Sequence, residues 1–149
     1  MLINARQRPH AIMAAILCVR TGQMNSDTPY KLLGGSEGVR KLAQRFYEIM
    51  DKDQAAKGIR ALHQDDLGPM TEKLASFLNG WLGGPRDYFD RPDAPCVMSA
   101  HHRFPIGASE RDQWLRCMSL ALEETGASQQ VRAMVEPAFA RLADAMRNR

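Results

Sequence analysis

The sequence predicts an all-α chain, on three observations. Apolar residues recur at helical spacing in four long stretches, from about 37–50, 66–82, 109–125 and 128–146. No strand-like alternation recurs. Glycine, proline and small polar residues stand at the ends of those stretches, where helices start and stop. At 149 residues the chain is most simply one domain, over 30–149, behind a weakly ordered or helical N-terminal extension at 1–29.

Composition excludes several classes. The chain is 44% hydrophobic and 25% charged, which is ordinary for a globular protein. A net charge of +3, scattered along the chain, gives no footprint for nucleic acid. No stretch approaches the roughly 18 apolar residues of a membrane span. Cys18, Cys96 and Cys117 form no CxxC pair and no CxxCH, so neither a zinc knuckle nor covalent haem attachment is expected. Three thiols and no clear secretory signal predict reduced cysteines and a cytoplasmic protein. Gly-rich phosphate loops are absent, and Gly34-Gly35 lacks the preceding strand of a nucleotide site.

In the extension, Arg6 and Arg8 precede an apolar run from Ala11 to Val19. That outline resembles a signal peptide, but Arg20 cuts the run and no small-x-small site follows. Met24 is an alternative translation start. Tyr30 to Leu33 then forms a short helix stopped by Gly34-Gly35, and Ser36 is the expected N-cap of the next helix, with Glu37 in its first turn. Val39, Leu42, Ala43, Phe46 and Met50 share one face of that helix, with Tyr47 at its edge; the residues alone favour a core tyrosine there. Asp51 to Ala61 holds one short helical turn. His63, after Leu62, is taken alone a surface or cap residue.

Asp66 is placed to cap a helix that tolerates Pro69 in its first turn. Met70, Leu74, Phe77, Leu78 and Trp81 form a stripe too apolar for a solvated face. It suits core packing and the wall of a flat aromatic cofactor equally. Gly83-Gly84-Pro85 ends that helix, and a turn-rich connection without regular structure is expected from Arg86 to Val97. Ser109-x-x-Asp112 reads as the capped start of a helix that buries Trp114, Met118, Ala121 and Leu122 and closes at Gly126. Ser128 caps a last helix with Val131, Met134, Val135, Ala138, Phe139, Leu142 and Met146 on one side and a bend at Val135–Pro137.

The stretch from Cys96 to Met118 carries the chemistry. His101 and His102 stand just before a Phe-Pro-Ile-Gly turn, and imidazole is a common iron ligand. Helical neighbours point about 100° apart, so only one of the two can hold a given iron from one side. The residues alone leave that choice open.

His101-His102-Arg103-Phe104-Pro105-Ile106, followed by Glu110-Arg111-Asp112-Gln113-Trp114-Leu115-Arg116-Cys117-Met118, resembles the proximal-histidine region of group II truncated haemoglobins, with its His-x-Pro-Phe-x-Ile and ERDxWLxCM runs. Arg45-Phe46-Tyr47 and Gly80-Trp81-Leu82-Gly83-Gly84-Pro85 match the same family in order, and the likeness covers about Tyr30 to the C-terminus. The resemblance implies a 2-on-2 helical sandwich around non-covalent haem b, with His101 as the iron ligand. It implies Tyr47 as the distal tyrosine and His63, Met70, Leu74, Phe77, Tyr88 and Trp114 at the pocket. Met70 then stands where ordinary globins carry a distal histidine, and it cannot donate. Ala100 and Arg103 depart from the family's Arg and Pro, which bears on the propionate contacts, for which Lys73 is a candidate partner.

The function implied is reversible binding of dioxygen or other diatomic gases, with Tyr47, Trp114 and His63 as hydrogen-bond donors to the ligand. A charge-assisted bond of this kind contributes about 1.5–3 kcal/mol. The same donors would suit a peroxidase or nitric oxide dioxygenase served by a reductase. The chain is expected to be a monomer or a homodimer, and a cofactor-free helical interaction module is the competing expectation.

Overall fold

The computed structural model describes residues 27–149. The apolar run at Ala11 to Val19, Met24 and Cys18 lie outside the described residues.

Eight α-helices and one 3₁₀ turn make up the described chain. Thr28 Oγ1 accepts the Lys31 N–H and opens α1 (Pro29–Leu32). Gly34, at φ 99°, then turns the chain in the left-handed region that side chains avoid. This places the start of α2 (Gly35–Lys52) earlier than expected: Gly34 is its N-cap. Ser36 lies inside the first turn, and its hydroxyl bonds the Tyr30 hydroxyl at 2.8 Å instead of capping. A 3₁₀ turn (Gln54–Ala56) and α3 (Lys57–Arg60) follow. Asp66 Oδ1 accepts the Gly68 N–H at 2.9 Å just before α4 (Gly68–Trp81), with Pro69 in its first turn.

The connection expected to lack regular structure contains one helical turn, α5 (Asp87–Asp90), and its last residue opens α6 (Val97–His101). Packing explains α5: Gly80 on α4 has no Cβ, and one built there would meet the Phe89 ring at 2.7 Å. Phe89 therefore lies directly on α4, with Phe77 and Tyr88 around it.

The start of α7 (Ala108–Glu124) also differs from expectation. Glu110, not Asp112, closes the cap, its carboxylate accepting the Gly107 N–H at 2.8 Å. Ser128 Oγ accepts the Val131 N–H and opens α8 (Gln129–Ala145), as expected. Helix α8 runs on through Pro137 without a break. Met134, expected on its inner face, is 44% exposed, because burial follows Val131, Val135, Phe139 and Ala143 one strip over.

The helices form two packed pairs, α2 with α4 and α7 with α8, joined where α2 lies on α7. Leu42, Phe46 and Met50 of α2 meet Leu78 of α4, Met118 and Leu122 of α7, and Val131 and Phe139 of α8 in one apolar core. Burying a side chain of this size contributes about 1.5–3 kcal/mol. Trp81 stacks on Phe139 at 4.8 Å, so the aromatic end of α4 reaches the second pair.

Candidate functional site

His101 is the last residue of α6. A helix of five residues has too few internal bonds to hold itself, and here a side chain helps. The His101 Nδ1 lies 2.6 Å from the Val97 carbonyl oxygen, one turn back. A carbonyl only accepts, so Nδ1 carries the proton and donates, and Nε2 keeps its lone pair. That is the state in which an imidazole binds a metal. Met98, three residues earlier on the same helical face, is an apolar side chain 48% exposed. His102 is the C-cap residue, exposed, with no side-chain bond among the described residues.

The turn after the histidines is tied down from the far end of the chain. Asn148 and Ile106 exchange bonds: the Asn148 N–H donates to the Ile106 carbonyl at 2.9 Å, and the Ile106 N–H donates to Asn148 Oδ1 at 3.0 Å. The Asn148 amide also donates to the Phe104 carbonyl at 2.7 Å and to that of His102 at 3.4 Å. No short-range pattern in the sequence announces this clamp.

Tyr47 is buried on the edge of α2, its ring against Phe46 at 4.9 Å and His63 at 5.7 Å. Burial pushes the phenol well above its ordinary pKa, so it stays a donor. Its hydroxyl has no hydrogen-bond partner among the described residues, and neither has the Trp114 indole N–H. Trp114 is half-buried between Phe46 at 5.2 Å and Phe139 at 5.5 Å.

His63 is half-buried, and its Nδ1 lies 2.9 Å from the Ile59 carbonyl. Desolvation lowers its pKa, the bond to Ile59 opposes this, and the charges of Arg60 and His101 lower it further. At neutral pH the ring is uncharged with its proton on Nδ1. In that tautomer His63 presents Nε2 as an acceptor.

The loop bearing His63 is held by Arg60, whose guanidinium donates to the Gln64 carbonyl at 3.0 Å, that of Asp65 at 3.2 Å and, at 3.5 Å, that of His63 itself. Asp51 accepts from its Nε at 2.8 Å. Among the remaining expected residues, Met70 and Leu74 are half-buried against the core. Phe77 is buried and meets Tyr88 edge-on at 5.6 Å. The Tyr88 hydroxyl donates to the Pro95 carbonyl at 3.2 Å, which occupies it in holding the loop. Lys73 is exposed, with no ion pair among the described residues. Two hollows lie elsewhere: one of about 160 Å³ against Leu115, Met118 and Phe139, and one of about 250 Å³ beside Arg45 and Glu124. None of the expected site residues lines either.

This donor set fits haem. One imidazole keeps a lone pair on Nε2, half-buried aliphatic and aromatic side chains suit a flat apolar ring, and two unpartnered donors are at hand. No group of three or more His, Cys, Asp or Glu able to hold a bare metal ion occurs among the described residues. Two packed helix pairs carrying such a set define the 2-on-2 class of haem-binding globins, whose members bind small diatomic gases.

The chain belongs to the bacterial-like globin family, whose model matches residues 28–148. It is 31% identical to the group 2 truncated hemoglobin YjbI of Bacillus subtilis over 106 residues, 71% of this chain and 77% of that protein. Among solved structures it resembles the group II 2-on-2 hemoglobin of Agrobacterium tumefaciens, with TM-score 0.78 and 37% identity over 85% of this chain and 98% of that one. The cold-adapted truncated hemoglobin of Pseudoalteromonas haloplanktis TAC125 matches with TM-score 0.78 and 35% identity, over 83% and 99% of the two chains. No helix among the described residues is long and apolar enough to cross a membrane.

Proposed function

We propose that this globin binds dioxygen, or another small diatomic gas, reversibly at a non-covalent haem b whose iron His101 ligates. The observation that carries this reading is the 2.6 Å contact between His101 Nδ1 and the Val97 carbonyl, which orients the ring and leaves Nε2 unprotonated. Haem, when bound, supplies an iron that coordinates a diatomic molecule. The chain's residues do the rest. Met70, Leu74, Phe77 and Tyr88 wall the ring and exclude water, and Lys73 at the rim pairs with a propionate. Tyr47 and Trp114 would offer an O–H and an N–H as hydrogen-bond donors to a gas held there. His63 lines the same side as an acceptor. The free thiols of Cys96 and Cys117 fit a reducing cytoplasm, where a reductase would serve the iron.

Absorption spectra of the purified protein beside His101→Ala and His102→Ala test the reading. Haem absorption in wild type and His102→Ala, lost or altered in His101→Ala, is the expected result. The reverse pattern moves the ligand to His102, and a colourless wild type after haem reconstitution removes the cofactor altogether.

A further inference from the structure

Gln113 sits on α7 directly before Trp114, and nothing so far gives it a role. Its side chain spans two elements. Oε1 accepts the Ile59 N–H at 2.8 Å, across 54 residues of sequence, and Nε2 donates to Ser109 Oγ at 3.0 Å on its own helix. The approach is close: a Cβ on Gly58 would meet both polar atoms of the amide at 3.0 Å, so glycine there admits the contact.

Ile59 lies in the first turn of α3, where backbone N–H groups have no partner inside the helix. A helix of four residues does not orient itself, so an external acceptor for that N–H sets how the Ile59 residue sits. The carbonyl of the same residue accepts from His63 Nδ1 at 2.9 Å and from the Leu62 N–H at 3.1 Å. A continuous polar line therefore runs from Ser109 through Gln113 and Ile59 to the His63 ring, whose neighbour at 5.7 Å is Tyr47. Arg60 restrains the loop backbone from its other side, but it touches neither ring nitrogen.

We propose that Gln113 is a positioning residue for the distal side of the site: by holding Ile59, it keeps the His63 proton on Nδ1 and presents Nε2 as a lone pair. The proposal deepens the proposed function, since it rests on His63 lining the gas-binding side. It divides the polar work there: Tyr47 and Trp114 donate, His63 accepts. Without the Gln113 contact only the Leu62 N–H is left to orient the Ile59 carbonyl, so the Nδ1–H bond weakens and the ring samples both tautomers. A ligand would then meet a lone pair in some molecules and an N–H in others.

The test uses the ferrous carbonmonoxy holoprotein, labelled with ¹⁵N at histidine. One-bond nitrogen–proton coupling reports which ring nitrogen of His63 is protonated, and the C–O stretch reports the field at the ligand. In wild type, a proton on Nδ1 and a single stretch are expected. Gln113→Met should divide the proton between the two nitrogens and add a second, displaced C–O band. Gln113→Glu, which keeps an acceptor for the Ile59 N–H, should restore the single band. A wild-type proton on Nε2, or a Gln113→Met protein with unchanged tautomer and stretch, overturns the proposal. Should Gln113→Met fail to fold, Ser109→Ala removes only the brace on the amide. A smaller displacement in the same direction supports the proposal there, and none overturns it. The two readings separate cleanly. If His101→Ala leaves the haem spectrum unchanged, the ligand assignment falls, whereas the His63 tautomer in haem-free protein still reads the Gln113 contact.

Discussion

His101 and Val97 stand one turn apart on α6, and their 2.6 Å contact settles which imidazole nitrogen carries the proton. His102, next in the chain, has no equivalent restraint on its ring among the described residues. The two histidines that look alike in sequence are therefore chemically different in the fold. His101→Ala should abolish haem retention or replace the axial ligand, while His102→Ala leaves the absorption spectrum as in wild type. Titration of haem into each apoprotein reads the difference directly.

The Trp114 indole N–H has no partner within the described residues, and the ring is wedged between Phe46 and Phe139. Trp114→Phe keeps that wedge and removes only the donor. The dioxygen dissociation rate should rise roughly tenfold, the value of one hydrogen bond to a partly charged acceptor. Stopped-flow displacement measures it, and an unchanged rate leaves Tyr47 as the sole donor.

Arg60 gathers three carbonyls and one carboxylate around a guanidinium that is 22% exposed. Arg60→Ala leaves those carbonyls without a donor and should cost about 2 kcal/mol of stability. The denaturation midpoint should fall, with faster amide exchange confined to residues 61–65.

The thiols separate by environment. Cys96 is exposed, and the backbone N–H and hydroxyl of Ser99 lower its pKa. Burial pushes the Cys117 thiol up to about 11 from an ordinary 9.0. With Cys18→Ser as background, a maleimide at neutral pH should label Cys96 rapidly and Cys117 only on unfolding, as mass spectrometry of digests reports. The sign for stability follows from the raised value. The unfolded chain loses this proton near pH 9 while the fold retains it, so a contribution complete below pH 9 is lost as pH rises toward 11. Cys117→Ala should flatten that alkaline decline.

Much of the fold was legible because its signals are local. The faces of α2 and α7 follow from helical spacing, and Ser128 and Gly126 mark ends that short-range chemistry dictates. Cap positions fared worse where two candidates compete within three residues. Ser36 lost its role because Gly34 adopts a left-handed turn no serine would favour, and Asp112 lost its role to Glu110, whose carboxylate reaches the Gly107 N–H. Helix α5 was missed because four residues carry no periodicity; its cause is a glycine on another helix that admits Phe89. In the candidate site, motifs pointed to Tyr47, His101 and Trp114. The residues that steady them, Gln113, Arg60 and Asn148, act through backbone groups, which no residue-type pattern records. The protonation of His63 was illegible for the same reason, since it is set by one carbonyl.

Asn148 has a consequence for how the protein is made. Its bonds to Ile106 and Phe104 close the turn that follows His101, across more than forty residues of intervening chain. A ribosome that has synthesised α6 and α7 has therefore made the imidazole but not yet its backing. Only when residue 148 clears the exit tunnel can that turn lock, so the backing of His101 is completed after translation of the globin domain rather than during it.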